Sequence, residues 1–218
     1  MSEKKVAIVD YHLGNLFSVI QSCEKVGINA ELCSSGEDLH KYDAIILPGV
    51  GAFGEAMQNM HDLGLVEPLR SLAAEGRPIF GICLGLQLLF TESEEFGTME
   101  GLGLIPGTIK KFKTEVEGVK YKVPQICWNE IEETAGLNWA DSPLCDLESK
   151  QFMYFVHSYY ASPEDSKYTL TETTYGGIRY TSAVFSQPNV FATQFHPEKS
   201  GEAGLSIYRN WAIQNKLI

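Results

Sequence analysis

The 218-residue sequence predicts an α/β fold in three layers: a mostly parallel central sheet with helices on both faces, and an antiparallel, β-rich C-terminal half. Three observations predict it. Apolar strand-like runs alternate with helical patterns through the first half, which implies crossover connections and a parallel sheet covered on both sides. From about residue 100, strand-like runs follow one another at short spacings. The hydrophobic content of 44% is ordinary for a soluble globular chain and large enough for a core that needs no staples.

The elements follow in order. "KKVAIVDY" (Lys4 to Tyr11) has the pattern of a buried strand. "NLFSVIQSCEKVG" is a helix pattern, with Asn15 as a cap, Leu16, Val19 and Ile20 on one side, and Gly27 as a stop. "AELCS" is a short strand, and "YDAIILPG" (Tyr42 to Gly49) is a strongly apolar one. A helical stretch runs through Leu69, Leu72 and Ala73 to Gly76. "RPIFGIC" (Arg77 to Cys83) is a further buried strand, and "LGLQLLF" opens the next helix. Six strand-like segments follow, the last of them "NVFATQFHPE", and a last helix spans about Ala203 to Gln214. No repeat, low-complexity tract or linker interrupts the chain, so residues 1–218 are expected to form a single domain.

Seventeen basic residues against 28 acidic ones give a formal charge of −11. That argues against nucleic-acid binding, which usually carries a basic patch. The acidic residues are dispersed, as on a solubilising surface. Five cysteines at irregular spacings, with no CxxC pair, signal no zinc ribbon and no disulfide framework. No metal or cofactor is implied. The N-terminal apolar run is too short for a signal peptide. The longest mostly apolar run, Ile79 to Phe90, has 12 residues, where a membrane span needs about 18. The expectation is a reduced, cytoplasmic protein with no membrane contact.

The chemistry gathers around "GICLG" (Gly81 to Gly85). A strand that turns sharply into a helix holds its turn residue in a strained conformation, and only small neighbours fit beside it. Cys83 flanked by Gly81 and Gly85 meets that need. Its side chain would project above the C-terminal end of the strand, where ligands bind in open α/β sheets. The helix N-terminus favours a thiolate, and the Leu84 N–H would face a developing oxyanion. The plainer reading is a packing joint, because cysteine is among the most buried residues.

Two further segments weigh against that plainer reading. In "QFHPEKSG" (Gln194 to Gly201), an extended strand would put His196 and Glu198 on one face. A thiol nucleophile needs such a base and such an orienting carboxylate. Pro197 between them places the strand at an edge or at its end. In "LPGVGAFG" (Leu47 to Gly54), glycines follow another strand and allow close approach of a ligand to the backbone, with a second oxyanion N–H near Val50 or Gly51. Alone, each could be an ordinary turn.

Together, "GICLGLQ", "FHPEKSG" and "LPGVGAFG" resemble the class I (triad) glutamine amidotransferases. "GNL", "LPGVGAFGEAM", "IPGTIKKF", "VPQICWNEI" and "FVHSYY" resemble, in order and over nearly the whole chain, that family's glutaminase subunits of imidazole glycerol phosphate synthases. The resemblance implies a Cys83–His196–Glu198 triad that hydrolyses glutamine to glutamate and ammonia. It implies an oxyanion hole from the backbone of Gly49, Val50, Gly51 and Leu84. It implies substrate contacts at Gln87, Ser158 and Tyr159. It also implies a partner, a (β/α)₈-barrel cyclase subunit that takes the ammonia, docked over Trp128, Asn129, Tyr154 and Lys199. This chain has no (β/α)₈ pattern and no phosphate loop of its own. Trp128 could equally belong to the core. His157, although near the site in sequence, reads as structural.

Two positions depart from the family's pattern. His12 stands where it usually has glycine, and Cys127 where glycine often precedes the tryptophan. They leave open a paralogue that feeds ammonia to another synthase, such as one aminating a sugar nucleotide. A stand-alone thiol hydrolase of γ-glutamyl bonds and a degenerate, non-catalytic module are the other readings. The intact Cys83, His196 and Glu198 argue against the last.

Overall fold

The structure is a computed structural model that describes residues 4–134, 138–186 and 188–218. Strand β1 (Val6–Val9) leads through helix α1 (Leu16–Val26) to β2 (Ala30–Cys33). Gly27 ends α1 at φ 84°, the left-handed stop its position predicts. Asn15 takes the cap position, but its side chain makes no cap hydrogen bond. Strand β3 (Ala44–Leu47) follows. The helical stretch after it is two helices, α2 (Phe53–Asp62) and α3 (Val66–Ala74), divided at Gly64, whose φ is 64°. Strand β4 (Ile79–Ile82) runs into α4 (Leu84–Leu88).

Helix α4 is shorter than the apolar run suggests. Phe90 has already left it to begin β5 (Phe90–Ser93), pairing with Ile105. All five residues of α4 are buried, so no polar face was present in the sequence to mark where the helix ends. The second half carries β6 (Met99–Glu100), β7 (Ile105–Lys111), a small hairpin of β8 (Glu115–Val116) and β9 (Val119–Lys120), and β10 (Gln125–Glu133). Strands β11 (Gln151–His157), β12 (Tyr159–Pro163), β13 (Thr169–Tyr175), β14 (Ile178–Ser186) and β15 (Val190–Thr193) come next, and α5 (Gly201–Gln214) closes the chain.

The main sheet is mixed. Its backbone of neighbours runs β2-β1-β3-β4-β15-β14-β12-β7-β5-β6. The first five are parallel, and β14 turns the direction by pairing antiparallel to β15. Strands β13, β10 and β11 extend from β14 as an antiparallel arm.

Alternation along the parallel strands builds two cores. Ala7, Val9, Ile45 and Leu47 face α2, α3 and α4, while Val6, Ile8, Ala44 and Ile46 face α1 and α5. On the second face Phe80 meets Phe191, Tyr208 and Trp211 at ring-centroid distances of 4.9, 5.3 and 5.5 Å. Truncating Phe80 to alanine would cost about 3–5 kcal/mol. Helices therefore cover both faces, and the C-terminal ends of β3, β4 and β15 open at one rim, where topology brings the three motifs together.

Candidate active site

Cys83 stands between β4 and α4 at φ 55° and ψ −106°, a conformation that costs an L-residue energy and persists only when its surroundings enforce it. Those surroundings are tight. Its N–H donates to the Thr193 carbonyl at 2.7 Å. A Cβ on Gly85 would lie 1.7 Å from the Leu47 carbonyl oxygen, and one on Gly81 would lie 2.9 Å from the Ala192 Cβ. The two glycines are thus a steric requirement of the turn. The sulfur sits at the floor of a cavity of about 320 Å³ that Val50, Gly51, Leu84, Gln87, Ser158 and Tyr159 also line.

The base reaches this place by a different backbone from the one the sequence suggests. Strand β15 ends at Thr193, and it is an interior strand, between β4 and β14. Residues Pro197–Lys199 form a single tight helical turn. His196 and Glu198 therefore do not share a strand face. The turn folds them together instead, with Nδ1 of His196 2.7 Å from Oε1 of Glu198 and both side chains almost wholly buried. Pro197 suits such a turn, because its missing N–H leaves no donor orphaned at the first helical position. Ser200 locks the assembly: its hydroxyl donates to the His196 carbonyl at 2.7 Å and accepts from the Tyr154 N–H.

Burial opposes a charge on His196. The Cys83 sulfur beside it and the Glu198 carboxylate outweigh that cost and lift its pKa to about 10. The charged form of the ring is therefore favoured at neutral pH, with the Glu198 carboxylate holding Nδ1 at 2.7 Å. Nε2 makes no hydrogen bond of full geometry, so its proton is free to be delivered.

The pocket arranges the remaining groups. Gln87 is buried, not solvent-facing, and its Nε2 donates to the Tyr159 carbonyl and to Oε1 of Gln194, each at 3.1 Å. The Leu84 N–H points to the Gly49 carbonyl at 3.3 Å. Gly49 lies behind the cavity, between Tyr11 and Leu84, where a Cβ would come within 1.8 Å of the Tyr11 hydroxyl. Gly51 has φ 113°, a region suited to glycine.

Sequence reasoning missed Glu95, which lines the same cavity while its Oε2 accepts the Phe53 N–H at the start of α2. The signal was present as an acidic residue in "ESEEFG", but nothing local distinguishes it from a surface loop. His157 also lines the cavity, with both ring nitrogens engaged by neighbours. Burial pushes its pKa down to about 4, its Nδ1 donates to the Tyr159 carbonyl, and its Nε2 faces the Tyr180 hydroxyl.

Trp128 is about half exposed and does not enter the core. It meets Tyr154 edge-on at 6.1 Å, and the Lys199 ammonium lies 5.9 Å over the Tyr154 ring. Asn129 belongs to the other face of β10 and donates to the Thr174 carbonyl, so it does not join that patch. Ile126 and Phe152 add exposed apolar surface to the same ribbon. Among the described residues, no group of three or more His, Cys, Asp or Glu is placed to hold a metal ion, and no helix is long and apolar enough to cross a membrane.

A nucleophile elbow, a buried His–Glu pair and a glycine loop meeting at one rim describe a family, and residues 7–215 match the model of the class I glutamine amidotransferases. This chain belongs to the class I glutamine amidotransferase family. Among curated proteins, this amidotransferase is 41% identical to the imidazole glycerol phosphate synthase subunit HisH of Geobacter metallireducens over 95% of its own length and 97% of the relative's. It is 43% identical to HisH of Sulfurimonas denitrificans, over 97% and 99% of the two chains. The amidotransferase fold is also that of PurLQS from Thermotoga maritima, with a TM-score of 0.75 at 19% identity over 97% and 98% of the chains. A crystal structure titled glutamine amidotransferase gives 0.71 at 18% identity over the same shares.

Proposed function

We propose that this amidotransferase is the glutaminase subunit of an imidazole glycerol phosphate synthase of histidine biosynthesis, working in the cytoplasm. The strained Cys83 on a cavity wall, with His196 beside its sulfur and Glu198 on the ring, carries the glutaminase chemistry, and the likeness to HisH proteins over nearly the whole chain supports the subunit.

The Cys83 thiolate attacks the side-chain carbonyl carbon of glutamine, and the C=O electrons move onto oxygen. His196 gives its Nε2 proton to the amide nitrogen as the C–N bond breaks, which releases ammonia and leaves a glutamyl thioester. Water then gives a proton to His196 and attacks the thioester, glutamate leaves, and the thiolate returns. Glu198 holds the ring and steadies its charged form. Gln87, Ser158 and Tyr159 hold the substrate, and the Glu95 carboxylate suits the substrate's α-ammonium group.

The two oxyanion donors are the Leu84 N–H and one from the Gly49–Val50–Gly51 loop. At rest the Gly49 carbonyl takes the Leu84 N–H, so the Gly49–Val50 peptide must turn before an oxyanion can be held. The (β/α)₈-barrel cyclase subunit, which makes imidazole glycerol phosphate and AICAR from the ammonia, supplies that turn by docking on the face of Trp128, Tyr154 and Lys199. Tyr154 links this face to the triad, since its carbonyl accepts the His196 N–H at 2.9 Å. Docking also keeps the ammonia from being protonated in bulk water.

The test measures glutamate release from glutamine with and without the cyclase subunit and its ligand, alongside Cys83→Ala. Activity that depends on the partner and vanishes with Cys83 supports the proposal. Equal activity with and without the cyclase would sink it.

A further inference from the structure

We propose that Gln194 is a further catalytic residue of this site: its side-chain amide, oriented by Gln87, keeps a hydrogen-bond donor on the Cys83 sulfur. The proposal rests on Cys83 being the nucleophile.

The orientation follows from a backbone carbonyl. The Tyr159 carbonyl can only accept, so the nitrogen end of the Gln87 amide must face it, at 3.1 Å. The second hydrogen on that nitrogen meets Oε1 of Gln194, also at 3.1 Å. With its oxygen committed to Gln87, Gln194 can present only Nε2 to the sulfur, which lies 3.8 Å away. Gln87, Gln194 and Cys83 are all buried, so inverting Gln87 would set its oxygen against two acceptors, and inverting Gln194 would set two N–H donors face to face. The Gln194 backbone is fixed as well, since its N–H donates to the Ser182 carbonyl at 2.8 Å.

A donor aimed at sulfur favours the thiolate over the thiol. His196 also favours it, but His196 gives its proton away during turnover. Gln194 is neutral and keeps its hydrogens throughout. It therefore stabilises the sulfur both as attacking thiolate and as the group that leaves when the thioester is hydrolysed. The plain alternative is that Gln194 only fills space at the end of β15.

Gln194→Met keeps most of the volume and removes the donor, and Gln194→Glu replaces the donor by an oxygen that repels a thiolate. Alkylation of Cys83 by iodoacetamide at neutral pH, read as the mass of the Cys83 peptide, should be about tenfold slower in Gln194→Met and slower still in Gln194→Glu. With the cyclase subunit present, kcat should fall in the same order while KM for glutamine moves little. In the wild-type chain, the Gln194 side-chain amide proton in the NMR spectrum should shift when Cys83→Ala removes its acceptor. Wild-type alkylation rates in a folded variant, or an amide proton that ignores Cys83→Ala, would overturn the proposal. Failure of the wild-type chain itself to alkylate at Cys83 and to release glutamate would instead overturn the nucleophile assignment, and the proposal with it.

Discussion

The Gly49 carbonyl accepts the Leu84 N–H across 3.3 Å, which ties the glycine loop after β3 to the first residue after the nucleophile. The loop is held from its other side by Tyr11, whose hydroxyl donates to the Pro48 carbonyl at 2.6 Å. Gly49 is wedged between these two restraints. Gly49→Ala would put a Cβ 1.8 Å from that hydroxyl. It should cost about 1–3 kcal/mol of stability in urea unfolding. Tyr11→Phe in the same chain should restore part of the loss, because it removes the clashing oxygen. Strictly additive losses in the double variant would contradict this packing.

Cys83→Ala should change the ionisation of His196 as well as abolish turnover. The sulfur is the leading cause that raises the histidine's pKa to about 10 against the cost of burial. Without it, NMR titration should find the His196 midpoint well below 10, with the Glu198 contribution remaining. A midpoint unchanged by the substitution would mean that the sulfur does not face the ring. The sign also fixes the wild-type behaviour: the charge on His196 is present through neutral pH and is lost as pH rises toward 10.

Buried His157 should make the fold acid-sensitive. Its pKa falls to about 4 in the folded chain because burial penalises the charge, against 6.5 when exposed. The unfolded chain therefore binds the proton first as pH falls below about 6.5, and stability declines from there toward pH 4. The contribution is on the order of 3 kcal/mol. His157→Phe should flatten the fall in Tm across that window. An equally steep fall in the variant would place the acid sensitivity elsewhere.

His12 occupies the position where the family pattern carries glycine, and it adopts the backbone that glycine would. Its φ is 70°, and its N–H donates to the Asp10 carboxylate at 3.0 Å, which props the turn. Its side chain is largely exposed. His12→Gly should thus raise stability by about 0.5–1 kcal/mol in chemical denaturation, since the left-handed strain disappears and little packing is lost. A destabilised variant would show that the histidine side chain makes a contact that outweighs its backbone.

Much of the site was legible because its requirements are local. A strand-to-helix elbow needs small neighbours, and Gly81 and Gly85 stand two places from Cys83. The proximity of His196 and Glu198 was legible too, although for the wrong geometric reason. Two residues apart can meet across a strand face or within one helical turn, and sequence spacing does not separate the two. Pro197 fits both. The length of α4 was illegible because every one of its residues is buried, so no polar stripe marks a helix period.

The two-faced apolar strands, the helix stops at glycine, the nucleophile turn and its base-bearing segment were all readable from residue order, because each depends on steric or hydrophobic preferences acting within a few residues. Which residues lie beside one another emerged from the folded arrangement. Gln194 is 111 positions from Cys83 yet touches its sulfur, Glu95 reaches the cavity from the loop after β5, and the Gly49 carbonyl meets the Leu84 amide. The first and last of these contacts exist because β4 pairs with β3 on one side and β15 on the other, and Glu95 is carried in by β5, which pairs with β7. Strand register is set by burial summed over whole faces of a sheet, which no short window of sequence contains.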